Sequence, residues 1–276
     1  MIRNIDEQVV RDFGSEWQRF DQSALTTEEL ATAFNRYFAI FPWKSLPADA
    51  RGFDLGCGSG RWAALVAPRV GELHCVEPSS VALDVAKKNL SPFTNCRFHL
   101  ASVDSTPLDD NSMDFGYSLG VLHHVPDTAA GIRSCVAKLK PGAPLLLYLY
   151  YAFDNRPKWF VAIWRISDYL RQIVSRCPYP IKYGLSQSVA MLVYLPLARL
   201  SGALERRGLS AEHIPLSSYG TKSFYTMRTD ALDRFGTRIE HRFTKPQISQ
   251  MMEAAGLIKV RFSDQAPYWC AVGVKA

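Results

Sequence analysis

The stretch Gly52-Phe-Asp-Leu-Gly-Cys-Gly-Ser-Gly-Arg-Trp62 constrains the fold of this 276-residue chain more than any other. Small and apolar residues lead into Asp54, glycines fall at 56, 58 and 60, and a helical pattern begins at Arg61. That order reads as a buried strand, a tight loop and a helix start. Glycine at 56 and 58 permits backbone angles and close approaches that any Cβ would block. The N–H groups at the start of the next helix have no intrahelical partner and can face a ligand. Further on, Leu73-His-Cys-Val-Glu77 reads as a strand that ends in a carboxylate. If the two strands are neighbours, Glu77 stands where the hydroxyls of a ribose would sit.

Around this stretch the chain alternates as α/β proteins do. Strands are expected near 51–56, 72–77, 96–101, 114–119 and 143–151, with helices near 61–70, 80–90 and 128–139. Lys140-Pro-Gly142 ends the last of these helices in the way a glycine just past a C-terminus does. Leu145 to Tyr151 is an unbroken apolar run suited to a strand buried on both faces. Ahead of the first strand, Val9, Val10, Phe13, Trp17 and Phe20 recur at helical spacing, and Thr26-Thr-Glu-Glu29 forms a capping box for a second helix through Phe38. These two helices are expected to cover the glycine-loop pocket, the plainer alternative being that Trp17 and Phe20 are core contacts.

After Tyr151 the alternation stops. Trp159, Ile163, Ile166, Leu170 and Ile173 form a stripe opposite Lys158, Arg165, Asp168 and Gln172, an amphipathic helix that Pro178 and Pro180 end. An uncharged stretch from Tyr183 to Ala198, interrupted by Pro196, is shorter than the roughly 20 residues of a bilayer span. The core pattern returns at Thr244-Lys-Pro-Gln247, a capped helix start, and strands follow at 258–263 and 269–275. The formal charge of +6 is localised: residues 151–210 hold nine Lys or Arg and only three acids, Asp154, Asp168 and Glu205. Met1 to Asp6 carries charge with no apolar run behind it, so no signal peptide is expected. The six cysteines never form a CxxC pair, which predicts a reduced cytoplasmic protein without a metal site.

The glycines follow GxGxG spacing, not the GxGxxG of dinucleotide-binding loops, so a ligand without pyrophosphate is indicated and a nicotinamide oxidoreductase is the weakest reading. With Asp54 and Glu77, and with the segments 101–108 and 117–127, the pattern resembles class I S-adenosylmethionine-dependent methyltransferases, nearest the ubiquinone- and sugar-methylating group. The resemblance covers residues 50–150 well and 243–276 more loosely. It implies an α/β, Rossmann-like doubly wound, mostly parallel seven-stranded sheet with N-terminal helices and a helical insertion after strand 5. The corresponding divisions are 1–49 (helical cap), 50–150 (cofactor-binding core), 151–236 (helical insertion over the acceptor) and 237–276 (completion of the sheet).

By this resemblance S-adenosyl-L-methionine would contact Asp54, Gly56, Cys57, Gly58, Gly60, Glu77, Pro78, Ser102, Val103, Asp104, Leu119 and Gly120. The family often places an aspartate on the adenine amino group where this chain has Ser102, so that contact would be a hydroxyl or shift to Asp104. Tyr117-Ser-Leu-Gly-Val-Leu-His-His-Val-Pro-Asp127 ends the fourth strand at the edge where ligands sit. One histidine of the pair could take a proton from a hydroxyl as the methyl arrives, and related enzymes favour His123 over His124; the plainer alternative is that both only hold the loop. Tyr225, Arg228, His241 and Arg242 are polar candidates for the acceptor site because they cluster near the insertion.

The leading expectation is methyl transfer to a small-molecule or lipid-linked acceptor, with O-methylation favoured. The basic insertion also admits an RNA methyltransferase, but its cations alternate with large aliphatics and not with the exposed aromatics of a single-strand platform. A non-catalytic adenosylmethionine-binding or membrane-surface protein is the alternative from a different class. Basic residues beside an apolar stripe suit peripheral contact with the inner membrane face; packing of the stripe onto the catalytic core is the competing expectation.

Overall fold

The computed structural model describes residues 3–209 and 214–276. The ranges 1–49 and 151–236 expected from the sequence include residues 1–2 and 210–213, which lie outside the described residues, as do Met1 and Ile2 of the charged N-terminal stretch. The chain divides into two compact units. The first comprises the residues up to Gln22 together with Leu30–Ala152 and Ile239–Ala276, and the second comprises Ser23–Glu29 and Phe153–Arg238.

The first unit begins with α1 (Glu7–Arg19), whose N-terminus is capped by the Asp6 carboxylate accepting from the Gln8 and Val9 N–H groups. It then takes in most of α2 (Thr27–Tyr37) and the alternation expected from the sequence. That alternation is β1 (Arg51–Leu55), α3 (Ala63–Val66), β2 (Glu72–Glu77), α4 (Ser80–Asn89), β3 (Cys96–Leu100), β4 (Phe115–Leu119), α5 (Thr128–Lys138) and β5 (Pro144–Tyr148). The strands form, among the described residues, one seven-stranded sheet in the order β3-β2-β1-β4-β5-β7-β6. Strands β1 to β5 pair in parallel, and β7 (Cys270–Lys275) inserts antiparallel between β5 and β6 (Leu257–Phe262). The chain order reverses between β1 and β4, which puts the carboxyl ends of β1, β2 and β4 around one crevice.

Side chains alternate across this sheet as a period of two requires. Leu145 and Leu147 belong to the core on one face with Phe53, Ile132 and Met252, whereas Leu146 joins Phe115, Tyr117, Phe38 and Trp62 on the other. Two glycines set the spacing. Gly52 pairs with Phe115 and Phe53 with Gly116, and a Cβ on either glycine would lie inside the neighbouring phenylalanine ring. The strands thus interlock ring over glycine on both faces. Gly116→Ala is expected to destabilise the fold by about 1–3 kcal/mol, the cost of overpacking a filled core. An unchanged urea midpoint for that variant would contradict the interlock.

Some elements are shorter than expected. The helix after the glycine loop keeps α geometry only over Ala63–Val66, because Pro68 follows and the chain tightens into a 3-10 turn at Ala67–Arg69. Strand β5 stops at Tyr148, where its ladder with Cys270 ends, although Tyr151 still bridges Phe243. The capped start at Thr244 is as expected: α10 (Lys245–Ala254) opens on a reciprocal Thr244–Gln247 capping box.

The second unit is helical, with α6 (Lys158–Val174), α7 (Tyr179–Val189), α8 (Leu195–Arg206) and α9 (Phe224–Gly236). A π turn at Ala190–Tyr194 joins α7 and α8, so that helical structure runs from Tyr179 to Arg206. Its core is Ala190, Tyr194 and Ala198 against Met227, Ala231 and Phe235. The expected capping box at Thr26 is only half formed. Its hydroxyl accepts from the Glu29 N–H, but the Glu29 carboxylate accepts instead from the Ser223 N–H and hydroxyl and from Thr226.

Candidate functional site

At the carboxyl ends of β1, β2 and β4 the first unit holds a cleft of about 920 Å³, counted out to its open mouth, within the usual size of small-molecule sites. The glycine loop forms its floor. Gly56 has φ +76° and Gly58 φ +52°, backbone that L side chains rarely adopt, and a Cβ at Gly58 would stand 2.9 Å from the Trp17 Nε1. A Cβ at Gly56 would strike Val121. The loop's own donors are engaged: the Gly56 and Cys57 N–H groups donate to the Val76 carbonyl, that of Gly60 to Cys57, and that of Gly58 to the Glu77 carboxylate at 3.0 Å.

Glu77 ends β2, lines the cleft and is 5% exposed. One carboxylate oxygen accepts from the Gly58 N–H and the other from the Ser79 N–H, both at 3.0 Å. A carboxylate has about four lone-pair sites, so each oxygen keeps room for one further donor, the requirement of a vicinal diol. Burial pushes this carboxyl up to about 7, against the pull of the two backbone N–H groups.

Helix α1 supplies a wall. Val9, Val10, Phe13 and Trp17 face the cleft, so α1 covers the pocket as expected; α2, expected to share in the cover, lines none of it and packs Phe34 into the core, and Phe20 is a core residue at 2% exposure. The segment ahead of it is stitched down by Asn4. Its N–H donates to Asp104, its amide group donates to the Asp127 carbonyl, and its side-chain oxygen accepts from the Asp127 N–H, each at 2.8 Å. Asp104 therefore anchors the cover and is not a cleft residue. Burial works the other way, but hydrogen bonds from Ser102 and Asn4 hold its carboxyl below the ordinary range.

Of the expected cofactor residues, Gly56, Cys57, Gly58, Glu77, Pro78, Ser102, Val103, Leu119 and Gly120 all line the cleft. Asp54 lies beneath it, 1% exposed, its carboxyl pushed by burial up to about 8 against the pull of the Tyr117 hydroxyl. Gly60 is a packing position whose Cβ would press on Leu90. The sequence reading missed Arg61, Trp62, Val121 and Val125, which also line the cleft. Trp62 was legible as the first large residue after the loop; the two valines carry no signal beyond being apolar.

The histidine pair divides. Both residues belong to the 3-10 turn Leu122–His124 and are buried, yet His124 lines the cleft and His123 does not. The His123 ring stacks on Tyr150 at 3.7 Å, and neither of its ring nitrogens has a hydrogen-bond partner among the described residues. Burial first, then His124 and Arg242, hold its pKa well below the usual histidine value, so it is neutral. The His124 Nδ1 lies 2.6 Å from the Ile239 carbonyl. A carbonyl only accepts, so Nδ1 donates.

The four acceptor candidates do not form one cluster within either unit. Tyr225 and Arg228 sit on α9 in the second unit, where Arg228 donates to Gln187 at 2.6 Å and Tyr183 at 2.9 Å. His241 and Arg242 belong to the first unit; His241 is exposed, and Arg242 pairs with Glu240 at 2.7 Å while lying over the Tyr150 ring.

Comparison with known proteins agrees with this geometry. Residues 53–147 match the family model described as a methyltransferase domain. The ubiquinone biosynthesis O-methyltransferase of Xanthomonas axonopodis is 31% identical over 170 residues, 61% of this chain and 66% of that protein. That of Alkalilimnicola ehrlichii is 27% identical over 128 residues, 46% of this chain and 51% of its own. A phosphoethanolamine N-methyltransferase of Caenorhabditis elegans is 31% identical over 100 residues, 35% of this chain and 23% of its own length. The chain thus spans about half to two thirds of these O-methyltransferases and less of the N-methyltransferase. In fold it is similar to a methyltransferase solved in complex with the Haloferax volcanii Trm112 activator. That likeness has a TM-score of 0.53 at 14% identity and covers 95% of this chain and 96% of that one. Through the domain at 53–147 the chain belongs to the class I S-adenosylmethionine-dependent methyltransferases.

Proposed function

We propose that the chain transfers a methyl group from S-adenosylmethionine to a hydroxyl oxygen of a small-molecule or lipid-linked acceptor, with His124 receiving the hydroxyl proton. The observation that carries the oxygen assignment is His124: an imidazole in the cleft wall, on the turn that follows β4, held in orientation by the Ile239 carbonyl at its Nδ1. When bound, the cofactor supplies a methyl group already activated on a sulfonium. Glu77 would hold the ribose hydroxyls on its two remaining lone pairs, and Ser102 and Val103 would border the adenine. Phe13, Trp17 and Trp62 wall the cleft with apolar rings. Much of the acceleration then comes from holding the reactants in line, and His124 contributes where the acceptor is an alcohol, whose proton must leave as the oxygen is methylated. The names of the O-methylating relatives support an oxygen acceptor.

The test is incubation with methyl-labelled S-adenosylmethionine and a cell extract separated into polar small-molecule, lipid and RNA fractions. Label is expected in the lipid or small-molecule fraction, on oxygen. Label that enters RNA and is released by ribonuclease would overturn the acceptor class.

A further inference from the structure

The second unit is built with its apolar residues outward. Among the described residues thirteen large apolar side chains stand exposed between Trp159 and Leu209, against three in the rest of the chain. All but Leu209 lie on two helical stretches. On α6 the stripe Trp159, Ile163, Ile166, Leu170 and Ile173 is 49–67% exposed, and on Tyr179–Arg206 Met191 and Leu192 are 54% and 69% exposed. The stripe therefore faces away from the second unit's own core.

The inner faces explain the inversion. Arg171 is 5% exposed and Lys182 2% exposed. Arg171 donates to the Thr237 carbonyl at 2.9 Å and to Asp168 at 2.7 Å, and Lys182 donates to the Gly236 carbonyl at 3.2 Å. Both cations thus satisfy carbonyls at the C-terminal end of α9, where a helix leaves its last acceptors unpaired and favours positive charge. With the polar residues turned inward for that purpose, the apolar ones face out. Scattered apolar residues on a surface need no explanation, but a contiguous set marks an interaction face.

The accompanying charge identifies what the face meets. Lys158, Arg165, Arg176, Arg199, Arg206 and Arg207 are exposed, while the exposed acids between 153 and 209 are Asp154 and Glu205. Two copies of such a face would bring like charges together. On α6, Lys158 and Arg165 stand about a third of a turn round from the middle of the stripe, where long side chains border an apolar face and do not interrupt it; an apolar face bordered by cations is complementary to an anionic lipid surface, where aliphatic and aromatic side chains enter the boundary and arginines meet phosphates. Nor does Tyr179–Arg206 read as a helix crossing the bilayer, because Lys182, Ser186 and Ser201 line one side of it and are 0–2% exposed.

We propose that the outward faces of α6 and of Tyr179–Arg206 are a docking surface for an anionic lipid bilayer, lying on it and not spanning it. This rests on exposure and charge in the second unit, independently of the methyl-transfer reading. The full chain should co-sediment with phosphatidylglycerol vesicles roughly tenfold more than with phosphatidylcholine vesicles, and high salt should weaken the binding. The double variant Ile166→Asp, Leu192→Asp and, separately, Arg165→Glu, Arg199→Glu should each reduce sedimentation roughly tenfold, as loss of apolar insertion or of several surface cations predicts. Circular dichroism and S-adenosylmethionine binding, unchanged in both, show that the variants fold. No sedimentation of the wild-type chain with either vesicle would overturn the proposal. So would equal sedimentation with both, or a self-association that Ile166→Asp, Leu192→Asp abolishes in the absence of lipid.

Discussion

Glu77→Ala is expected to weaken S-adenosylmethionine binding between about 10-fold and about 150-fold, the equivalent of roughly 1.5–3 kcal/mol for hydrogen bonds to a charged group. The side chain is 5% exposed and each of its oxygens already accepts one backbone N–H. Truncation therefore removes the acceptor for the ribose and also releases Gly58, the residue that lets Trp17 close over the loop. Glu77→Gln separates charge from shape, since a carboxamide presents an NH2 group where one of these N–H donors needs an acceptor. The wild-type site should also respond to pH. Burial raises the Glu77 carboxyl to about 7, and both the hydroxyl donors and the positive charge of the ligand favour the ionised form. Affinity should therefore rise as pH increases through about 7, with a proton released on binding below that value, and Glu77→Gln should lose this dependence. Calorimetry from pH 6 to 8 reads all three quantities, the interval being set by the approximate pKa and a unit on either side. Wild-type affinity in Glu77→Ala would remove Glu77 from the site.

His124→Ala should lower methyl transfer to an alcohol acceptor by about 10²-fold or more, within the range for loss of a general base, with a much smaller change in cofactor affinity. The argument is placement: Nδ1 donates to the Ile239 carbonyl at 2.6 Å, which fixes a ring that lines the cleft. His123 is expected to act otherwise. It is fully buried against Tyr150, and its pKa is depressed by burial, so His123→Ala should reduce stability before it reduces turnover. Turnover on the labelled acceptor fraction and thermal unfolding of the same samples decide between them. A folded His123→Ala chain without transfer, beside an active His124→Ala chain, would exchange the two roles.

The sheet was legible because short strand patterns, with the apolar run of β5 the plainest, sit where glycine, proline and capping residues punctuate them. β2 ends at Glu77 as expected, and the Thr244 cap opens α10 where the pattern put it. The glycine spacing and the carboxylate one strand later located most of the cleft, because both lie within a few residues of strand ends. What stayed hidden depends on contacts distant in sequence. Periodicity shows that α6 has an apolar stripe but not which face is covered; that was decided by Arg171 and Lys182 reaching carbonyls at 236 and 237. Neighbouring histidines in one 3-10 turn point to different surroundings, and only Tyr150 and Ile239 separate them. Asp104 lies outside the cleft lining and accepts from the N–H of Asn4, a hundred residues earlier, a contact that no local pattern shows. The Thr26 box followed the capping pattern in its first half, but the Glu29 carboxylate is held by Ser223 and Thr226.

The central claim is that the cleft framed by Gly56, Gly58 and Glu77 is where S-adenosylmethionine binds. Ultraviolet cross-linking of labelled S-adenosylmethionine to the full chain, followed by peptide mapping, tests it most directly. Label is expected on peptides that carry the cleft wall, from α1 around Phe13 and Trp17, from the loop 55–62 or from 101–103, and excess unlabelled cofactor should suppress it. Label confined to the helices between 153 and 238, or label that excess cofactor does not displace, would contradict the assignment.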